Sequence, residues 1–340
     1  MTAWNVKSLT RSEWLSLAPT YTDYNYQQTL GYLETITEAQ NSLLELVGVY
    51  ENAELRGIAG VRIKRIPILN SGVAYLAGGP LVLRPQVNLM TFTQVTSALA
   101  HHYAREQNYA LRIAAPIWDI STVVDQISSL EKLGFSRNTF LPHYSTSVLD
   151  LSIGEEQLKK NFHKKWRYLL NASLRNKLTI RTGTIERYYE EFFTLFEAHK
   201  NRKGFSVNLE PDFYRQVERS TENNKDYIIQ LVEQDGVVIA GHIGSYVGDT
   251  AVYLFGASSV QGNAVGAPYL LQFQAIRKAI ELGINNYDTG GMDQENNPGV
   301  YTFKNRMKGE LVTSASFFDY STGIRQKVAL AAEKIYRLLK

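Results

Sequence analysis

The side chains with the most chemistry fall in four short stretches. The first is His163-Lys164-Lys165-Trp166-Arg167-Tyr168, followed by Asn171, Arg175 and Lys177. On a helix Lys164, Arg167 and Tyr168 share a face, as do Arg167, Asn171 and Arg175. An arginine fork grips two oxygens at once, so this face could seat a phosphate or carboxylate. Its ordinary alternative is a solvated basic face with Trp166 turned inward. The second is Tyr253, on a predicted strand Val252 to Ala257, which is either a cleft contact or a cross-strand core residue. The third is Gln261-Gly262-Asn263-Ala264-Val265-Gly266-Ala267, a glycine-bearing turn whose backbone amides could hold an anion at a helix start. The fourth is Tyr301-Thr302-Phe303-Lys304, whose ordinary alternative is a strand edge with Phe303 inward and Lys304 on the surface. Asp288 and Asp293 could take a proton from an amine, and both also suit turns.

The chain has no cysteine, which excludes disulfides, thiolate zinc sites and a cysteine nucleophile. Its six histidines (His101, His102, His143, His163, His199 and His242) are scattered, none at a metal-ligand spacing with a carboxylate partner. No catalytic metal is expected. His143, after Pro142, reads as structural.

These groups need a scaffold, and the run from Gly266 to Lys308 is its centre. Pro268 suits the first turn of a helix, Leu270, Leu271, Phe273, Ile276, Ala279 and Ile280 give it one apolar face, and Gly283 stops it. A short strand through Asn285 to Asp288 then ends at Gly290-Gly291, where the backbone can bend sharply. Upstream, strands are predicted at 43–49, 55–66 and 73–83, an antiparallel meander, followed by a helix at 91–108, a strand at 110–114, a helix at 120–133 and a strand at 144–151. A capped helix, with Ser12 its cap, precedes them at 11–17. The order then repeats: a helix at 154–174, a short strand at 178–181, helices at 185–199 and 212–220, and a meander at 227–232, 237–247 and 251–257. A last helix is expected over 323–339. Two consecutive units of similar element order imply an internal duplication, divided as 1–148 and 149–320, with a terminal helix at 321–340.

Composition agrees with two domains. A chain of 340 residues can bury a large core, and 44% hydrophobic with 20% charged residues describes an ordinary globular protein. A net charge of +3 does not mark a nucleic-acid binder. The start lacks the apolar core of a signal peptide and no later run approaches a membrane span, so a soluble cytoplasmic protein is expected.

The ordered run PYLLQ…YDTGG…NPGVYTFK, with the Lys164, Arg167, Tyr168 helix, resembles the Fem-type (FemABX) aminoacyltransferases of the GNAT superfamily. The resemblance implies an α/β fold of two tandem GNAT-like domains, in an arm-less form, because no heptad-patterned insertion lies between Tyr188 and Pro211. It implies transfer of an aminoacyl group from aminoacyl-tRNA to an amine of a peptidoglycan-precursor peptide, without a permanently bound cofactor. Lys164, Arg167, Tyr168, Tyr253 and Tyr301 would bind the acceptor, in a cleft of the first domain and its junction with the second. Phe303 would stack on the terminal adenine and the Lys304 ammonium would stabilise charge growing on the ester carbonyl, with Asp288 a candidate base. The chain departs from the pattern at Leu169, where asparagine is usual, and at Ala172, where a basic residue is common.

Gln261, Gly266 and Ala267 keep a second enzyme reading open. They match in part the pyrophosphate loop of acyl-CoA-binding GNAT domains, with Ala264 in place of its middle glycine. The donor would then be acyl-CoA or an acyl carrier protein. A third reading is a non-catalytic binding module of envelope biosynthesis.

Overall fold

The computed structural model describes residues 4–82, 89–115, 120–141, 144–204, 209–221, 226–313 and 317–338, and His143 lies outside them. In chain order the elements are β1 (Trp4–Ser8), α1 (Arg11–Leu17), α2 (Leu30–Ala39), β2 (Leu43–Glu51), β3 (Glu54–Ile66), β4 (Ser71–Ala77), α3 (Leu89–Ala100, running on into a π-helical turn His101–Glu106), β5 (Tyr109–Ala114), α4 (Ile120–Lys132), β6 (Ser136–Arg137) and β7 (Ser145–Asp150). They continue with α5 (Glu155–Asn161), α6 (Lys164–Arg175), β8 (Thr179–Gly183), α7 (Ile185–Lys203), α8 (Pro211–Ser220), β9 (Tyr227–Gln234), β10 (Val237–Val247) and β11 (Thr250–Ser258). The remainder is α9 (Val260–Ala264), α10 (Ala267–Glu281), β12 (Asn286–Asp288), α11 (Pro298–Asn305), β13 (Glu310–Thr313), β14 (Phe318–Tyr320) and α12 (Ile324–Leu338).

The chain forms two compact units, Met1–Tyr144 with Thr313–Lys340, and Ser145–Val312. Each holds one seven-stranded mixed sheet, ordered β1-β2-β3-β4-β5-β14-β6 in the first and β8-β9-β10-β11-β12-β7-β13 in the second. The two orders match place for place: an antiparallel meander, then one parallel pair (β4–β5, β11–β12), then an antiparallel strand inserted before the last. The inserted strand is exchanged. β7 follows β6 in the chain but completes the second sheet, and β14 follows β13 but completes the first.

This exchange corrects the division read from the sequence. The strand around Leu149 belongs to the second unit, where Leu149 and Leu151 pack with Trp166, Phe273, Ile276 and Tyr287. Strand β14 and α12 belong to the first, where fully buried Phe318 joins Val61, Ile63, Leu76, Leu111 and Ile113. Arg112 of β5 fixes β14 there: its guanidinium donates to Asp319 at 2.5 and 2.9 Å and to Glu333 of α12.

Local chemistry sets the element ends. α1 is capped by Thr10 rather than Ser12: the Thr10 hydroxyl accepts from the Glu13 amide and the Glu13 carboxylate accepts from the Thr10 amide, a reciprocal capping box. The helix expected over 154–174 is broken at Phe162-His163, both extended in ψ, because Phe162 turns into the core against Trp166 and His163 caps α6 by accepting from the Lys165 amide at 3.2 Å. α10 starts after Gly266 at φ +77° with Pro268 in its first turn, and its apolar face is buried as its periodicity predicts.

Candidate active site

Most of the candidate residues gather in the second unit, several of them near the carboxyl ends of its parallel strands. β11 and β12 pair over only Thr250–Val252 and Asn286–Asp288, after which β11 runs on to Ser258 paired with β10. In the first sheet β4 and β5 stay in register across six residues each. In open α/β sheets, ligands are taken beyond the carboxyl ends of the strands, where neighbouring parallel strands part.

Lys304 points into this region. The Tyr301–Lys304 run lies on α11, not on a strand edge, with Pro298 at its start and the Asn297 side chain capping it. One turn of helix carries Lys304 inward, and the residue is only 5% exposed. Its ammonium donates to the Gly291 carbonyl at 2.9 Å and lies 4.9 Å from the centroid of the Tyr253 ring. Desolvation pushes the ammonium down to about 8, opposed by the Asp288 carboxylate. Asp288 is buried, and one of its oxygens accepts from the Thr146 hydroxyl and from the Gly290 amide at 2.8 Å. It braces the turn that follows β12 and supplies the countercharge to Lys304. Gly290 sits at φ +78°, and a Cβ there would lie 2.4 Å from the Tyr253 carbonyl and 3.3 Å from the Lys304 ammonium. Only glycine allows that approach. Asp293 lies in an exposed turn, where its carboxylate accepts from the Glu295 and Asn296 amides.

Tyr253 is half-buried, and desolvation holds its phenol above the ordinary tyrosine range. Its ring stacks on His242, with centroids 4.7 Å apart and planes 18° apart. Two glycines make room for this pair: a Cβ at Gly256 would lie 1.5 Å from the Tyr253 hydroxyl, and one at Gly244 would lie 2.8 Å from the His242 ring. His242 is fully enclosed, and burial first and Lys304 second hold it down to about 3, so it is neutral at pH 7. Neither ring nitrogen has a hydrogen-bond partner. Sequence reasoning left His242 among scattered histidines. Its signal was Gly244 two residues on, which leaves room for the ring on the same face of the strand.

The basic helix α6 packs beside α11. Trp166 is buried against Phe162, Tyr269 and Phe303, at centroid distances of 4.5, 5.3 and 6.2 Å. That anchor leaves Lys164, Lys165 and Tyr168 exposed and Arg167 half-buried, with Arg167 donating to the Lys160 carbonyl. The His163 amide donates to the Arg306 carbonyl at 2.9 Å, which joins the start of α6 to the end of α11. Desolvation and then the cations Arg306, Lys308, Lys164 and Arg167 hold His163 below the ordinary imidazole value. Arg306 and Lys308, at the end of α11, thus add positive charge near the start of α6. Phe303 is half-buried between Trp166 and Tyr269, and Tyr301 is half-buried one turn before Lys304.

The glycine-bearing loop has a different form from a phosphate cradle. Its residues make α9 and the turn into α10. The amides of Asn263, Val265 and Gly266 donate to the carbonyls of Ser259, Gln261 and Asn263, and that of Gly262 to the Ser259 hydroxyl. Gln261 is exposed and donates to Gln234, while Ala267 is fully buried. A Cβ at Gly266 would lie 3.2 Å from both the Leu169 carbonyl and the Ser173 side chain, so α6 covers this turn. Among the described residues, no group of three or more His, Asp or Glu is arranged to hold a metal ion.

The family model described as "FemAB family" matches residues 9–229 and 214–332. The lipid II:glycine glycyltransferase of Staphylococcus saprophyticus is 22% identical over 86% of this chain and 90% of that protein. The protein of the same name from Staphylococcus epidermidis is 20% identical over 86% of this chain and 89% of its own. Among solved structures, FemX superposes with a TM-score of 0.82 at 16% identity, covering 97% of this chain and 100% of that one. A tandem GNAT protein from the clavulanic acid biosynthesis pathway gives a TM-score of 0.53 at 11% identity, over 95% of this chain and 99% of that one. Both likenesses are likenesses of fold, two tandem GNAT-like units.

Proposed function

The chain belongs to the FemAB family and is an acyltransferase, and on that premise we propose that it moves an aminoacyl group from aminoacyl-tRNA to an amine of a peptidoglycan precursor. Glycine, the residue named for the relatives, is the first aminoacyl group to test. The observation that carries the reading is a buried ammonium, Lys304, set among acceptor groups where β11 and β12 separate.

In the reaction the acceptor nitrogen attacks the ester carbonyl and forms a C–N bond. The carbonyl oxygen gains negative charge as the tetrahedral centre forms, and a desolvated ammonium stabilises it strongly without reorganising. The C–O ester bond then breaks, the ribose hydroxyl leaves with a proton, and the amine loses one. At pH 7 Lys304 is protonated and ready for that role. Asp288 supplies its countercharge and holds the Gly290 turn. Tyr253, fixed by His242, Tyr301 and the patch of Lys164, Arg167 and Tyr168 position the acceptor, the cations suiting its anionic groups. Phe303 offers an aromatic face to the terminal base of the donor. Internal use of the α9 amides favours a tRNA donor over acyl-CoA or a carrier protein. A charged-tRNA donor and a precursor acceptor imply the cytoplasm. Among the described residues no helix is long and apolar enough to cross a membrane.

The test is a transfer assay with labelled aminoacyl-tRNA and a precursor peptide. RNase-sensitive product from the wild type, absent in Lys304→Met and formed with raised acceptor KM in Arg167→Ala, is the expected result. RNase-insensitive product made from acetyl-CoA would overturn the donor assignment.

A further inference from the structure

Helix α12 turns an apolar stripe to solvent. Its inner side rests on β4 and β5, with Gln326 and Ala329 buried and Glu333 paired with Arg112 and Arg337. On the opposite side Ile324, Val328, Ile335 and Leu338 are 81, 43, 58 and 66% exposed. At about 100° per residue these positions, with Ala331, line up into one stripe roughly opposite the buried side. Arg325 borders the stripe on one side, and Lys327 and Lys334 border it on the other, all three exposed. The only acidic residue of the helix, Glu333, faces inward.

The start of α12 is tied to the β3–β4 turn. The Gln326 amide donates to the Asn108 side chain at 3.3 Å, and Asn108 donates to the Asn70 carbonyl at 2.8 Å. This places the start of α12 beside the β3–β4 turn, where Ile68 is 92% exposed and Lys64 and Arg65 are exposed. Arg325, Lys327 and Lys334 thus frame the α12 stripe, Lys334 also lying 5.2 Å from the centroid of the Phe140 ring.

We infer that this face docks the protein on an anionic phospholipid membrane, with α12 lying in the headgroup layer. Apolar side chains bordered by cations match the two layers of such a surface: acyl chains beneath, negative charge above. At 15 residues the helix is about 22 Å long, short of the roughly 30 Å hydrocarbon core, so it lies along the membrane and does not span it. A two-fold pairing with a second copy would set the same cationic borders against each other, which disfavours that occupant. The inference stands apart from the assigned reaction, since none of these residues belongs to the site around Lys304.

The test is co-sedimentation of the full chain with vesicles of phosphatidylethanolamine and phosphatidylglycerol, and with vesicles of phosphatidylcholine alone. Binding to the anionic vesicles that weakens with salt is expected. The double variant Ile324→Glu/Ile335→Glu should lower the partition coefficient by at least about tenfold, and Lys327→Glu/Lys334→Glu should lower it and flatten the salt dependence. All four positions are exposed, so matched melting curves should show both variants folded. Equal binding by variants and wild type, or no binding to anionic vesicles, overturns the inference. So does a concentration-dependent dimer that Ile335→Glu dissolves, because a second copy would then cover the stripe.

Discussion

Replacing Lys304 with methionine should stabilise the protein while abolishing its activity. Methionine keeps most of the side chain's length and removes the charge. The fall of the ammonium from an ordinary 10.5 to about 8 corresponds to roughly 3 kcal/mol of folding free energy spent on keeping that proton in a desolvated place. Below pH 8 both folded and unfolded chains carry the proton, and the folded chain bears the whole cost. As pH rises from about 8 to 10.5 the folded chain has already lost its proton and the unfolded chain loses it too, so the cost disappears. Methionine forfeits the hydrogen bond to the Gly291 carbonyl, which returns about 1 kcal/mol. The net expectation is a gain of about 2 kcal/mol at pH 7 that shrinks to nothing or reverses by pH 10. Urea unfolding at the two pH values measures it, and the transfer assay should show a loss of about 10²–10³ in kcat. A variant less stable than the wild type at pH 7, or one within tenfold of its activity, would refute the assignment of Lys304 as a charge kept for function at the expense of stability.

Two further substitutions probe the supports. Gly256→Ala puts a Cβ within 1.5 Å of the Tyr253 hydroxyl and must displace that ring. We expect about a tenfold loss of kcat/KM, and a double variant Gly256→Ala/Tyr253→Ala no worse than Tyr253→Ala alone; additive losses would separate the glycine from the ring. Arg112→Met leaves Asp319 and Glu333 without their shared partner beneath α12, so urea unfolding should show a cost of about 3–5 kcal/mol, against less than 1 kcal/mol expected if the network were merely a surface one.

The local grammar of the chain was legible wherever one physical cause acted alone. The α10 face, its Gly266 and Pro268 start, and the two meanders followed from periodicity and turn residues. The basic helix was legible too, but not its break at Phe162, because burial of that ring against Trp166 is a tertiary choice that helix propensity does not encode. Strand β14 is three residues long and its partner lies about 200 residues upstream, so no local pattern announced it. For the same reason the unit boundaries were drawn in the wrong places. In the site, the cationic and aromatic residues were visible by type, whereas the inward turn of Lys304 and the enclosure of His242 depend on which helix face and which sheet face meet the core.

The exchange of β7 and β14 has a bearing on how the chain is made. The second unit receives its inserted strand early, since β7 precedes the rest of that sheet, and it can close as soon as β13 has been synthesised. The first unit must wait for β14, roughly 180 residues after β6; at about 5–20 residues per second that is a delay on the order of ten to forty seconds. During that time the edges of β5 and β6 are open strand edges, which are the usual targets of misplaced pairing. The half that is translated first is therefore finished last, and the nascent protein holds the closed sheet beside Lys304 before its leading half has one.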